Sequence, residues 1–281
     1  MIAQSDSIDR ATFHDFTVPY LKNIAGIRAI EWAPYIPHAK RNSHETQLRQ
    51  EGFDWYHIRR PNTQRNAFEP TPDKPFYLPI QYIEPSPLNK LVLGYDLSTS
   101  PERLQIIQES HTTCKMAVSS PLRLLQNGPG TRSILISKTV QSADTLQGVV
   151  LGVYNVPKLV NTILEEELEC LDFFLFDHTA GQAPIYNSQS PDTLLPITEV
   201  VDTEWPAPDT LYIQNRTWLI YGIPKADFFD YSFPLEAYGF SAVAILITLM
   251  LMGILILQEI SNSRLGKKVA QRTQQLHRAN N

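Results

Sequence analysis

The stretch KLVLGYDLSTSPERLQII (Lys90–Ile107) carries the fold decision. It opens as an apolar run that reads as a strand, reaches a lone carboxylate at Asp96, crosses a polar turn, and restarts at Pro101 as a helix extending to about Thr113. Proline suits a first helical turn, where the missing N–H has no helical partner anyway. Asp96 stands where the strand leaves the core. It has four readings there: helix cap, turn former, catalytic acid or ligand anchor. Residue chemistry alone favours an Asx turn, or a cap supplied beside it by Ser98 or Ser100.

Working outward, the chain alternates short strands with short helices. Upstream, residues 5–30 read as a helix capped by Asp6 or Ser7 and kinked at Pro19. His38 to Glu51 reads as a polar helix ended by Gly52, with RNSHETQLRQE as a solvated face and Arg41–Glu45 as an intrahelical ion pair. FDWYHI and PFYLPIQYI read as strands, the second brought to an edge or bulge by Pro79. Downstream, MAVSS, SILISKTV and QGVVLGVYNV complete a sheet around an NGPG loop. A second cycle then follows: helix VPKLVNTILEEELE, strands DFFLFDHT and APIYNS, and a hairpin TLYIQNRTWLIYGIP turning at Gln214-Asn215. Antiparallel-style connections between strands and short helices predict an α+β fold.

Composition bounds the function. With 281 residues, 43% hydrophobic and 19% charged, the chain can bury a core, and its net charge of −5 gives no case for a nucleic-acid partner. The two cysteines, Cys114 and Cys170, are too few for a CxxC zinc site and read as free thiols, with a disulfide as the alternative. His38, His44 and His57 lack metal-ligand spacing, and no GxSxG, P-loop or GxGxxG occurs, so neither a cofactor nor a metal is expected. Asn215-Arg216-Thr217 is a glycosylation sequon, relevant only in a eukaryotic secretory path.

Residues 237–258, AYGFSAVAILITLMLMGILILQ, carry no charge. A helix of about 22 residues rises about 33 Å, enough to cross a bilayer core. Tyr231, Phe233 and Tyr238 precede it as an aromatic belt. Arg264, Lys267, Lys268, Arg272 and Arg278 follow it, while Asp227, Asp230 and Glu236 lie before it. The basic flank stays in the cytoplasm, which predicts one membrane span with residues 1–236 periplasmic and residues 259–281 cytoplasmic at the inner membrane. Leu265, Val269, Arg272, Leu276 and Ala279 follow a 4-3-4-3 spacing that begins a coiled-coil seam. The start carries no apolar export signal, so either the single span acts as its own insertion signal or a preceding span is expected upstream, and the seam breaking off in mid-pattern leads one to expect further protein downstream.

Several blocks in order give the chain a resemblance to the CHASE domain, an extracellular sensory module of receptor kinases and diguanylate cyclases. They lie between about Gly26 and Leu164. The first matches through Gly26, Ile27, Trp32, Pro34, Arg41, Glu45, Gly52 and Phe53, and the second through Tyr77, Pro79, Tyr82, Glu84, Pro85, Asn89, Gly94, Asp96 and Arg103. The third carries Ser120, Pro121 and Leu124, and the fourth, GVVLGVYNVPKLV, starts at Gly148. Two departures stand out: a glycine usual after the Pro101 helix is replaced around Cys114, and the family's Pro-Val-Tyr reads SKTV.

The resemblance implies a long N-terminal stalk helix (1–30), a sensory core over 26–164, a second module over 165–235, the span at 237–258 and a cytoplasmic coil opening at 259–281. Both sheet modules would be PAS-like and in tandem. It implies that Asp96, which in plant members accepts bonds from the adenine edge of cytokinins, contacts a small-molecule ligand of unknown identity. Val118, Ser119 and Ser120 would face it, and Tyr77 and Tyr82 would line the pocket. The expected function is ligand sensing by a membrane receptor that dimerises through stalk and coil, contacts lipid, and drives an output kinase or cyclase. No enzymatic activity is expected from this chain itself. The rivals are a membrane-anchored periplasmic enzyme and a ligand-free dimerisation module.

Overall fold

The computed structural model describes residues 8–62, 64, 67–122, 133–142, 145–189, 208–226, 228, 239–250 and 252. The chain divides into two units, Met1–Lys225 and Ala226–Asn281. In order, the first contains α1 (Arg10–Asn23), β1 (Ile27–Pro34), β2 (Ile36–Pro37), α2 (Arg41–Gln50), β3 (Arg59–Asn62), β4 (Ala67–Pro70), β5 (Phe76–Tyr77), β6 (Tyr82–Glu84), α3 (Ser86–Asn89) and α4 (Pro101–Thr113). It continues with β7 (Ala117–Val118), β8 (Ser133–Ser142), β9 (Thr145–Asn155), α5 (Val156–Ile163), α6 (Glu167–Cys170), β10 (Leu171–Asp177), β11 (Ala183–Asn187), β12 (Asp209–Ile213) and β13 (Arg216–Pro224).

Two antiparallel sheets dominate: a five-stranded one in the order β6-β1-β9-β8-β7 and a four-stranded one in the order β11-β10-β13-β12. The fold is therefore mixed helix and antiparallel sheet. Period-two alternation sorts β1 between two faces. Trp32 joins Phe13 of α1 and Tyr82 of β6 on one face. Ala29 and Ala33 join the main core on the other, with Leu135, Val149, Leu151 and Val153 of the sheet and Tyr56, Leu93, Tyr95, Ile106 and Ile107 from the elements covering it. The four-stranded sheet builds its own core from Leu175, Ile185, Tyr186 and Trp218, and Val118 and Ile134 of the first sheet reach into it.

The expected helix over residues 5–30 is shorter here. α1 is capped by Asp9, whose side chain accepts from the Thr12 N–H at 2.7 Å, and it contains Pro19. It stops before Gly26, whose φ of +82° suits glycine and whose missing Cβ would meet Leu159 at 2.6 Å. Residues 27–30 are the start of β1, and Asp6 and Ser7 lie outside the described residues. KLVLGYDL is not a strand. Gly94, at φ +80° with the His57 carbonyl 2.5 Å from where a Cβ would stand, turns the chain. Leu93 and Leu97 reach the core from turns instead. FDWYHI is likewise not a strand. α2 is not purely a solvated face either: His44, Glu45 and Leu48 are buried. Its Arg41–Glu45 pair forms at 3.1 Å, and Arg49 adds a second contact to Glu45 at 2.9 Å. Both cysteines are free, and Cys114 is exposed.

In the second unit, residues 239–250 are helical. Among the described residues no helix is long and apolar enough to cross a membrane. Apart from Met252, the rest of the expected 237–258 span, the aromatic belt and the coil seam lie outside the described residues.

Candidate functional site

Asp96 is wholly buried. The backbone brings it there by pairing Asp96 with Pro79 and Tyr95 with Arg59 in isolated bridges. The Asp96 N–H donates to the Arg59 carbonyl at 2.9 Å. Its carboxylate caps the 3-10 turn Leu97–Thr99. Oδ1 accepts from the N–H of Leu78 at 2.9 Å, from the N–H of Ser98 at 3.2 Å and from the Ser98 hydroxyl. Oδ2 faces the Lys74 ammonium at 2.6 Å, and that ammonium also donates to Ser98 Oγ. Lys74 enters from a loop between Pro72 and Pro75, with its side chain 26% exposed. The cap reading and the charge-anchor geometry therefore coexist in one residue.

Tyr77 belongs to the same cluster. Its buried hydroxyl receives N–H bonds from Arg41 and from the Lys74 backbone, both at 3.2 Å. Its single proton is therefore directed to His38 Nδ1, 3.0 Å away. The Lys74 ammonium sits 5.5 Å and the Arg41 guanidinium 4.9 Å from the ring centroid, both in cation–π range. Beside the Asp96 turn, an open hollow of about 490 Å³ is lined by Arg60, Pro61, Asn62, Gln64, Glu69 and Thr99.

The remaining expected residues lie elsewhere. Tyr82 packs under α1 against Phe13, with the Arg10 guanidinium 4.8 Å above its ring and its hydroxyl accepting from Gln81. Burial, its leading influence, pushes the Tyr82 phenol up. Ser119 Oγ accepts from the Leu135 N–H at 2.9 Å and donates to the Ser120 carbonyl at 2.7 Å, holding the chain beyond β7 against β8. Val118 points into the second core. Its N–H donates to Asn215 Oδ1 at 2.7 Å, and its carbonyl accepts from Asn215 Nδ2 at 3.2 Å. Asn215 Nδ2 also reaches Glu109 of α4 at 2.9 Å. The hairpin tip of the second sheet is thus hydrogen-bonded like an extra strand residue onto the edge of the first. Sequence reasoning saw a turn at Gln214-Asn215 but had no signal for its partner.

Two buried titratable groups lie near the core. His44 donates to or accepts from the Tyr56 hydroxyl at 3.1 Å. Burial pulls it down to about 4, against the upward influence of Glu45. Glu31 of β1 is 8% exposed. Burial pushes it up to about 7 against the pull of Arg103.

A family model described as the CHASE domain matches residues 6–186. No curated protein matches the chain. Among solved structures, the chain is similar to the ligand-binding domain of the Pseudomonas aeruginosa PAO1 amino acid chemoreceptor PctC in complex with GABA. Identity is 13% and TM-score 0.45, over 78% of this chain and 83% of that one. It is also similar to the ligand-binding domain of the Pseudomonas fluorescens chemoreceptor CtaA in complex with L-alanine, at 16% identity and TM-score 0.33 over 48% of this chain and 64% of that one.

Proposed function

Because the chain belongs to the CHASE-domain family, we propose that it is the extracytoplasmic sensing region of a membrane receptor, and that a small molecule bearing N–H donors is bound through Asp96. The observation that carries this reading is the Lys74–Asp96 contact. A wholly buried carboxylate is neutralised by an ammonium on a flexible stem that reaches in from a surface loop. An incoming donor exchanges with that ammonium, and the lysine head returns to water at little expense. The fixed N–H bonds from Leu78 and Ser98 keep the carboxylate oriented throughout. Tyr77 supplies a ring wall, and Ser119 and Ser120 flank the strand that joins the sheets. Tyr82 contributes indirectly, through the sheet face under α1.

Ligand exchange at Asp96 shifts the turn at its base and α4 after it. Glu109 of α4 and Val118 of β7 share Asn215, so the displacement passes to the second sheet. From there it continues through a membrane span at 237–258 to the coil at Leu265, Val269 and Leu276 in a dimer, and on to an output domain. Exposed Phe240, Leu246, Leu249 and Met250 support a lipid-facing helix. A periplasmic domain over 26–164 with a second PAS-like module over 165–235, and an inner-membrane location, complete the proposal.

The test is thermal stabilisation of the full chain by adenine, GABA and L-alanine, in wild type and in Asp96→Asn. Loss of the hits in the variant supports the anchor. Hits that persist unchanged remove it. The second reading, a ligand-free dimerisation module, is favoured by the internal partners Asp96 already has in Leu78, Ser98 and Lys74. It predicts no hits and a dimer unaffected by any probe.

A further inference from the structure

The hollow beside the Asp96 turn has a chemistry that the Asp96 anchor does not use. It lies between the β3–β4 hairpin and the 3-10 turn Leu97–Thr99, and Arg60, Pro61, Asn62, Gln64, Glu69 and Thr99 line it. Its volume of about 490 Å³ falls within the range of about 300–1,000 Å³ common to small-molecule sites. Its base is held firmly. Arg59 donates from Nε to the Leu93 carbonyl at 3.0 Å and from Nη2 to the Leu91 carbonyl at 2.9 Å, and its own carbonyl accepts the Asp96 N–H. The two charges of the lining cancel. Arg60 and Glu69 stand directly opposite in the hairpin, and Arg60 Nε and Nη2 meet Glu69 Oε1 at 2.9 and 2.8 Å. Asn62 Nδ2 donates to Glu69 Oε2 at 2.7 Å. Thr99 Oγ1 gives its proton to the Asp96 carbonyl at 2.7 Å, so it meets a guest with lone pairs alone. Gln64 brings an amide that both donates and accepts. Pro61 is the one apolar residue of the six.

We propose that this hollow binds a small neutral polyhydroxyl compound, in chemical class a monosaccharide or disaccharide. The site goes beyond the Asp96 anchor and does not depend on it. A charged guest fits poorly: a lone ammonium competes with Arg60 for Glu69, and a lone carboxylate competes with Glu69 for Arg60. A planar base finds no aromatic ring in the lining to stack on. Hydroxyls donate and accept at once, which suits a wall of paired planar groups. Two vicinal hydroxyls span the Arg60–Glu69 pair, one accepting from the guanidinium and one donating to the carboxylate, without separating the charges. A third reaches the Gln64 amide. One that donates to Thr99 Oγ1 ties the guest to the turn that Asp96 caps. Water competes in an open polar hollow, so the affinity is expected to lie at about 1 mM.

The experiment uses the full chain in phosphocholine-detergent micelles, since glucoside and maltoside headgroups would themselves enter the hollow. Saturation-transfer difference NMR reads the binding of glucose, galactose and sucrose directly. Thermal melting is the wrong readout, because sugars stabilise folded proteins generally by exclusion from their surface. At least one sugar is expected to give a saturable signal. Gln64→Ala and Arg60→Met are each expected to weaken it about threefold to tenfold, the loss of one hydrogen bond to the guest. Gln64 is exposed and lies outside the strands, so its variant tests the site even if Arg60→Met loosens the hairpin. Three results overturn the proposal: no sugar gives a saturable signal, Gln64→Ala binds as wild type does, or glycine and acetate show Gln64-dependent binding in place of the sugars. Adding adenine, GABA and L-alanine separates this site from the Asp96 anchor. Sugar binding that survives their saturation keeps the hollow as a distinct site. Displacement of the sugar by any of them means one shared site, which removes this proposal and leaves the Asp96 anchor standing. If none of the three binds at all, the Asp96 reading falls and the sugar result still decides the hollow.

Discussion

Two wholly buried aspartates each cap a 3-10 turn: Asp96, outside any strand, caps Leu97–Thr99, and Asp177, the last residue of β10, caps His178–Ala180. Each faces one cation, and there the likeness ends. Asp177 is held by Arg216 at 2.7 Å, a guanidinium rooted in β13 directly beside β10 and only 12% exposed. Asp96 is held by Lys74, an ammonium on a proline-flanked loop. A planar fork on a strand is a fixed counter-ion, and a point charge on a four-carbon stem is an exchangeable one. The same kind of cap thus serves a static role at Asp177 and leaves a dynamic one open at Asp96. The cap alone does not separate the two roles.

Breaking the static pair has the largest expected effect. Arg216→Met leaves Asp177 charged and buried with no cation, which lowers stability by about 3–5 kcal/mol. Denaturant unfolding of the full chain measures it. A loss as small as that at Lys74 would mean that the two aspartates are equivalent after all.

Glu31 sharpens the comparison with a buried acid that forms no ion pair among the described residues. Its folded pKa of about 7 lies above the ordinary 4.5, so between those values the native state holds a proton that the unfolded state lacks. Stability therefore falls as pH rises through that window, by about 3 kcal/mol in all. His44 acts in the opposite sense. Its pKa falls from 6.5 to about 4, so stability rises with pH between about 4 and 6.5. The two slopes oppose each other in the wild type between about 4.5 and 6.5. Glu31→Gln unmasks the histidine, and unfolding measured across pH 4 to 6.5 is expected to show a rise of about 3 kcal/mol. A profile in the variant as flat as in the wild type contradicts the burial of one group or the other.

Lys74→Met is expected to lower stability by about 2 kcal/mol, less than at Arg216 because the ammonium is partly solvated and Asp96 retains its two backbone donors. Asn215→Ala, which removes the bonds to Val118 and Glu109, is also expected to cost about 2 kcal/mol. It tests the link between the sheets directly: a probe bound at the first sheet should then no longer slow hydrogen exchange in β13.

How much of this was legible follows from how local each signal is. β8, β9, α4 and the β12–β13 hairpin announce themselves by alternation, by Pro101 and by a turn pair. Asp96 stood out because the sequence around it reads as a strand end and a helix start, although the run before it is not a strand. Lys74 was not, since nothing in a Pro-Asp-Lys-Pro loop says which buried acid it will meet. Glu31 was missed because residues 27–30 of β1 read as the end of a helix and Glu31 falls just beyond it, before the turn read at Pro34 and Pro37. The available clue was an acid in phase with Ala29 and Ala33. The run KLVLGYDL misled because apolar residues can fill a core from turns, and only the left-handed Gly94 reveals that they do.

The smallest expected effect lies at the left-handed caps, where the sheets again differ. The turn after Asp177 ends on Gly181 at φ +67°, a conformation glycine adopts without steric cost. Helix α4 ends on Cys114 at φ +53°, where a Cβ crowds the backbone. The glycine that the CHASE resemblance leads one to expect near this point is the residue this geometry favours. Cys114→Gly relieves the crowding but adds freedom to the unfolded chain, for a net gain of about 0.5–1 kcal/mol. Gly181→Ala should lose about 1 kcal/mol by the same argument reversed. Paired thermal melts would show opposite signs. A loss at Cys114 would mean that its thiol, near the His111 carbonyl and Gln141 Oε1, contributes more than the strain costs.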